Sequence, residues 1–293
     1  MNKNFLNALD DWGGILTDTY ERNATCVVPT KIVDGRLIID SPKCKDNDSL
    51  KGIIEIPEGV EEVKQYTFSE CNNITGVIFP ESMRKVSYCA FSECENLSFV
   101  RFNEGLKELS WCSFSECPSL KTINIPDTLT VLATDAFSNC DLIGDLTIPG
   151  SVKFIGIGAF AENKNLNGTL TLQDGIIELS PFCFSECNFS GHLEIPKSVE
   201  VIGQSAFFQN KNITSLKLNE GLKFIHRSAF EGCSGLTGKL IIPRTLKQIE
   251  DDIFLDANFS VIHIPKELKN IFTGFKNWGN KLNSIQQPEI VYY

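Results

Sequence analysis

Histidine is scarce in this chain, with His192, His226 and His263 the only three in 293 residues. Imidazole is the commonest metal ligand and the commonest general base, so the sequence is poorly supplied for a metal centre or a nucleophile-base pair. No catalytic residue, cofactor or metal is expected. Long apolar runs are also missing: no stretch approaches the roughly 18 residues of a membrane span. The first residues, MNKNFLNALDDWGG, lack the basic start and apolar run of a secretory leader. Basic residues are the minority, 27 Lys and Arg against 37 Asp and Glu, giving a net charge of -10 and a pI near 4.9. Nucleic acid and anionic membranes are polyanions that such a chain repels, so neither is an expected partner, nor is membrane insertion. A protein partner carrying a basic patch fits better.

Cysteine, by contrast, is plentiful. There are eleven, an odd number, in a chain without a visible export signal. A cytoplasmic setting with free thiols is the simpler expectation, and a secreted or cell-surface location is the alternative.

Self-similarity organises everything else. A phenylalanine recurs at Phe68, Phe91, Phe114, Phe137, Phe160, Phe184, Phe207, Phe230 and Phe254, always 23 or 24 residues apart. Eleven residues before it stand Pro57, Pro80, Asn103, Pro126, Pro149, Gln173, Pro196, Asn219 and Pro243, with Pro265 opening a truncated tenth coil. Three residues after it the column reads Cys or Asn, from Cys71 to Cys233, with Ala257 as the exception. Small donors in a stacked column suit bonding to backbone carbonyls. The stretch Ile123-x-Ile125-Pro126 has the period of a strand and ends where proline removes a ladder donor. This predicts one short strand per coil, stacked into one parallel sheet, with a tight turn or short helical piece between Leu129 and Phe137. One coil cannot bury both of its faces, so the array is stable only as a stack.

The unit from Cys117 to Phe137, Cys-x-x-Leu-x-x-Ile-x-Ile-Pro-x-x-Leu-x-x-Leu-x-x-x-Ala-Phe, resembles the BspA-like (Treponema-class) leucine-rich repeat. The resemblance implies a right-handed solenoid of nine to ten coils of about 23 residues, mainly β or α/β. For many relatives it implies adhesion to proteins or cells. The solenoid is expected over 50–275. Residues 1–49 read as an N-terminal cap, with a short helix in Phe5 to Tyr20 and a hairpin in Cys26 to Asp40 turning at Asp34-Gly35. Residues 276–293 read as a C-terminal cap or tail, with Trp278 as a lid.

Other motifs carry less. The segment Gly232 to Lys239 has its glycines one residue too far apart for a phosphate loop, and Leu240 stands where Ser or Thr is needed. The pairs Cys89/Cys94, Cys112/Cys117 and Cys183/Cys187 lack the spacing of structural zinc sites. Sequons at Asn73, Asn96, Asn167, Asn188, Asn212 and Asn258 arise from equivalent turns of the repeat. An acidic column, Glu70, Glu93, Glu116, Glu162 and Glu186, reads as a solvated edge or a track for a basic partner.

The functional expectation is therefore a non-catalytic protein-protein interaction module. Its partner is expected on the variable outer face of the sheet, where Ile78, Phe99 and Arg101 cluster beside Thr122 and Asn124. A second candidate is the turn before the phenylalanine, with Tyr66, Tyr88 and Trp111 from adjacent coils, continued by Val131, Phe154 and Ile157. An extracellular adhesin or glycan-binding surface, and an enzyme regulator acting through its caps, are the alternatives.

Overall fold

The computed structural model describes residues 30–33, 36–39, 50–272 and 288–293. It is a parallel β-solenoid of about nine coils, with helix confined among the described residues to Lys266–Leu268 and Lys269–Phe272 near its end. The expected helix in Phe5 to Tyr20, the Asp34-Gly35 turn and the Trp278 lid lie outside the described residues. Within Cys26 to Asp40, strands Thr30–Val33 and Arg36–Ile39 pair antiparallel.

Each coil lays its apolar residues inward around the recurring phenylalanine. The nine rings form one column, with neighbouring centroids 4.9–5.5 Å apart and planes within 18° of parallel. Offset stacking of this kind is a favourable arrangement of aromatic quadrupoles, and every coil of the array shares it with its neighbours. The Cys/Asn column closes the same turn. Cys94, Cys117, Cys140, Cys187 and Cys233 each donate Sγ–H to the carbonyl of the phenylalanine one coil back, at 3.0–3.1 Å. Asn163 and Asn210 reach that carbonyl and their own coil's phenylalanine carbonyl as well.

One expectation is corrected here. The coils carry two columns of strands, not one strand and one sheet. The first holds the Ile-x-Ile stretch and is broken into short parallel sheets: Gly52–Glu55, Ile74–Ile78 and Phe99–Arg101; Leu146–Ile148 with Leu170–Leu172; Ser190–Glu194 with Asn212–Lys217; and Thr237–Ile241 with Asn258–Ile264. The second is an unbroken nine-stranded ladder of two-residue strands, from Glu62–Val63 to Gln248–Ile249. Within the first column Gly52, Gly191 and Gly238 adopt φ of +73° to +79° where the register slips by one residue, each a glycine bulge inside a paired strand. The second column has no such slip, and its strands stay in register although each is only two residues long. A two-residue strand leaves almost no periodicity to detect, which is why the sequence shows only a turn there.

The chain end joins the first column. Glu289–Tyr292 pairs parallel with Asn258–Ile264, and Tyr293 donates its hydroxyl to the Ile242 carbonyl at 2.9 Å, with the Arg244 guanidinium 5.0 Å from its ring centroid.

Candidate functional site

The turn that carries the aromatic strip is built from two left-handed residues per coil. Counting from the phenylalanine, position -2 holds Tyr66, Cys89, Cys112, Asp135, Gly158, Phe182, Ser205, Ser228 and Asp252, with φ of +48° to +60°. Position +2 holds Glu70, Glu93, Glu116, Asn139, Glu162, Glu186, Gln209, Gly232 and Asp256, with φ of +51° to +75°. Left-handed backbone costs an L-residue roughly 1–2 kcal/mol. The compensation is a set of bonds between coils: Cys112 N–H to the Thr134 carbonyl at 3.0 Å, Phe114 N–H to Ala136 at 2.9 Å, and Glu116 N–H to Ser138 at 2.9 Å. The left-handed conformation at -2 and +2 turns alternate N–H groups toward the next coil. Tyr66 and Phe182 at -2, Tyr88, Trp111 and Ile157 at -3, and Glu93, Glu116 and Glu162 at +2 are exposed.

The result is an apolar strip. Tyr66, Tyr88, Trp111, Val131, Phe154, Ile157 and Phe182 are all exposed and come from six consecutive coils on one face of the second strand and its turn. Trp111 is 60% exposed. Tyr66 and Tyr88 sit in different columns, yet their rings meet edge to face at 5.2 Å. Between the walls of the strip, small residues hold the backbone close: Ser87 and Ser110 are buried, and a Cβ on Gly156 would meet the Ala133 carbonyl carbon at 2.3 Å.

The sheet-face cluster is arranged differently. Ile78, Phe99, Arg101 and Thr122 are half-buried, and Asn124 is exposed. A Cβ on Gly76 would fall 2.2 Å from the Phe99 ring, so that ring lies flat over its neighbour coil rather than standing free. Phe99 also bridges to Thr122 through the backbone. The turn face, not this cluster, therefore offers the larger exposed apolar area.

Charged residues of both signs border the strip. On the +2 side, Glu93 and Glu116 are exposed, and no cation lies within ion-pair distance of either among the described residues. Further along, Lys164 lies 3.9 Å from Glu162 and 3.6 Å from Glu186. On the other side Arg84 donates to the Glu81 and Met83 carbonyls and Lys153 donates to Gly150 and Gly175, while Lys85 and Glu108, in the same strand column as Val131 and Phe154, pair with each other at 2.9 Å.

Cysteine chemistry separates into three kinds. Burial pushes the Cys140, Cys183 and Cys187 thiols up and the Cys233 thiol up to about 12, so they are protonated at neutral pH. Cys89 and Cys112 are free and half-buried beneath the strip, and Cys112 is pushed up to about 11 by burial and by Cys89 and Asp135 beside it. Cys71 departs from the free-thiol expectation, because it is disulfide-bonded.

The three histidines are dispersed. His192 Nδ1 meets Ser215 Oγ at 2.8 Å on the open sheet, His226 Nδ1 meets Glu250 Oε1 at 2.9 Å, and the His263 ring tilts toward Tyr293. Among the described residues no three His, Cys, Asp or Glu side chains group as metal ligands, and no helix is long and apolar enough to cross a membrane. The phosphate-loop likeness at Gly232 to Lys239 resolves into the strand Thr237–Ile241 with its bulge at Gly238.

Solved structures similar to the chain include a leucine-rich repeat protein from Bacteroides ovatus, 17% identical over 91% of this chain and 98% of that one, with a TM-score of 0.43. A leucine rich cell surface protein from Faecalibacterium prausnitzii is 22% identical over 90% and 86%, TM-score 0.44. The T. pallidum leucine rich repeat protein is 19% identical over 88% and 97%, TM-score 0.39. Among curated proteins none matches significantly. The model of the BspA type leucine rich repeat region matches residues 39–167, 143–256 and 168–283, which together span most of the sequence. The chain belongs to the BspA type leucine-rich-repeat family.

Proposed function

We propose that this protein is a non-catalytic binding scaffold that engages a protein partner through the aromatic strip of its turn face. The family suggests a role in protein interaction or surface adhesion. The observation that carries the finer reading is the run of exposed large apolar side chains from Tyr66 to Phe182 on consecutive coils. An exposed apolar patch of this kind on a protein surface marks an interaction site, and Trp and Tyr are enriched where binding energy concentrates. The rigid ladder beneath supplies preorganisation, so little ordering of the scaffold opposes binding.

Capture from the native source, with cross-linking, tests the reading. Trp111→Ala should lose the partner that the wild-type chain captures, and Phe99→Ala should retain it. Retention by Trp111→Ala with loss on Phe99→Ala would move the site to the sheet face.

A further inference from the structure

We infer that the docked partner presents an arginine-rich extended segment, lying along the second and third phenylalanine coils with its side chains over Tyr88 and Trp111 and its guanidinium groups on Glu93 and Glu116. This rests on the turn face being the docking surface, and it adds the chemistry of the occupant. The juxtaposition is specific to this stretch. Tyr88 and Glu93 belong to one coil, Trp111 and Glu116 to the next, and all four side chains are exposed. In-register coils repeat at roughly the strand spacing of 4.7–4.9 Å, so the two glutamates project from adjacent coils of one column. Like charges there repel, and no cation of the described chain relieves them. At Glu162 and Glu186 the chain supplies Lys164 instead.

An arginine satisfies both borders at once. Its planar guanidinium accepts the face of Trp or Tyr through cation–π contact and pairs with carboxylates through its fork of N–H donors. Arg84, Lys153 and Lys85 do not compete, since the first two are engaged with carbonyls of the solenoid itself and Lys85 is paired with Glu108. An overall charge of -10 steers a basic segment toward the chain, and the unneutralised pair orients it. Substitution of the acids is structurally safe, because Gln209 already occupies the same left-handed column at φ +62°.

The test is fluorescence anisotropy of the full chain with a labelled twelve-residue peptide alternating Arg and Gly, against its Glu counterpart. The Arg peptide should bind saturably and more weakly as salt rises, and the Glu peptide should not bind. Glu93→Gln with Glu116→Gln should weaken the Arg peptide tenfold or more, and Trp111→Ala should do likewise. Glu104→Gln with Asp127→Asn changes the net charge equally at exposed sites on the opposite corner, and should change affinity less than twofold. Equal weakening by the two acid pairs would reduce the effect to bulk charge and overturn the inference. So would an unchanged affinity in Trp111→Ala. A chain that sediments as a dimer through this strip, without binding the peptide, would replace the basic segment by a second copy. If the peptide fails while Trp111→Ala still loses the captured partner, the docking face stands and the basic occupant is refuted.

Discussion

Replacing Phe137 by alanine removes a ring from the middle of the phenylalanine column. Phe114 and Phe160 lie on either side at centroid distances of 5.5 Å, Phe102 meets the ring edge at 6.3 Å, and the side chain is fully buried. Truncating a buried Phe to Ala costs about 3–5 kcal/mol, and the spread depends on how far the surroundings collapse into the void. Here collapse is opposed on both sides. The backbone of the coil is tied to its neighbours by Phe114 N–H to Ala136 at 2.9 Å and Phe137 N–H to Ala159 at 2.8 Å, so the two flanking rings cannot close the gap without breaking ladder bonds. The cost should therefore lie near the upper end, about 5 kcal/mol.

Asn124→Ala, on the exposed side of the first strand of the same coil, should stay within about 0.5 kcal/mol of wild type. Urea unfolding followed by far-ultraviolet circular dichroism separates the two. The alanine at 137 should lower the midpoint strongly and broaden the transition, because a weakened central interface lets the coils on either side unfold with less coupling. Equal midpoints for the two variants would refute the assignment of inward and outward positions. A sharp single transition at a lowered midpoint would refute the nearest-neighbour account of the stack.

Three further outcomes follow from the same geometry. Glu116→Gly should raise stability by about 0.5–1 kcal/mol in the same urea assay, because relief of left-handed strain of roughly 1–2 kcal/mol exceeds the entropy cost of glycine of about 0.5–1; a loss beyond 1 kcal/mol would contradict it. Cys140→Asn should be tolerated, as Asn163 shows in the next coil, whereas Cys140→Val leaves the buried Phe114 carbonyl without its side-chain donor and should cost about 1–3 kcal/mol. Thiol counting in denaturant without reductant should find nine reactive groups, since one disulfide uses two of the eleven cysteines; eleven would refute the bond at Cys71 and favour a reducing compartment.

Much of this fold is written at intervals of 23 residues. The phenylalanine column, the inward Ile and Leu positions and the Cys/Asn donors recur in register because each must fill the same slot between identical neighbours, and a repeated physical demand becomes a repeated letter. The chain could therefore be read as a solenoid, and Cys117 or Asn163 as an inward donor, before any coordinates. The second strand column was illegible for the opposite reason. Its two residues per coil make one inward and one outward side chain, as Val131 and Leu132 do, and that is too short to show a period.

The left-handed columns show where composition misleads. Positive φ usually announces itself as Gly or Asn, yet at -2 and +2 most coils place Glu, Cys, Ser, Asp, Tyr or Phe there, all with φ near +55°. Stacking removes the preference: when each left-handed residue donates its N–H to the next coil, the strain is offset by an array of bonds that no isolated turn possesses. Freed from the demand for glycine, these positions can carry side chains chosen for what they meet outside. Tyr66 and Phe182 at -2, with Glu93 and Glu116 at +2, stand at such positions. The candidate strip is thus a consequence of the stack itself; the sequence already offers Tyr66, Tyr88, Trp111, Val131, Phe154 and Ile157 as its second candidate surface, and what it cannot show is that the Phe99 ring of the first candidate covers Gly76.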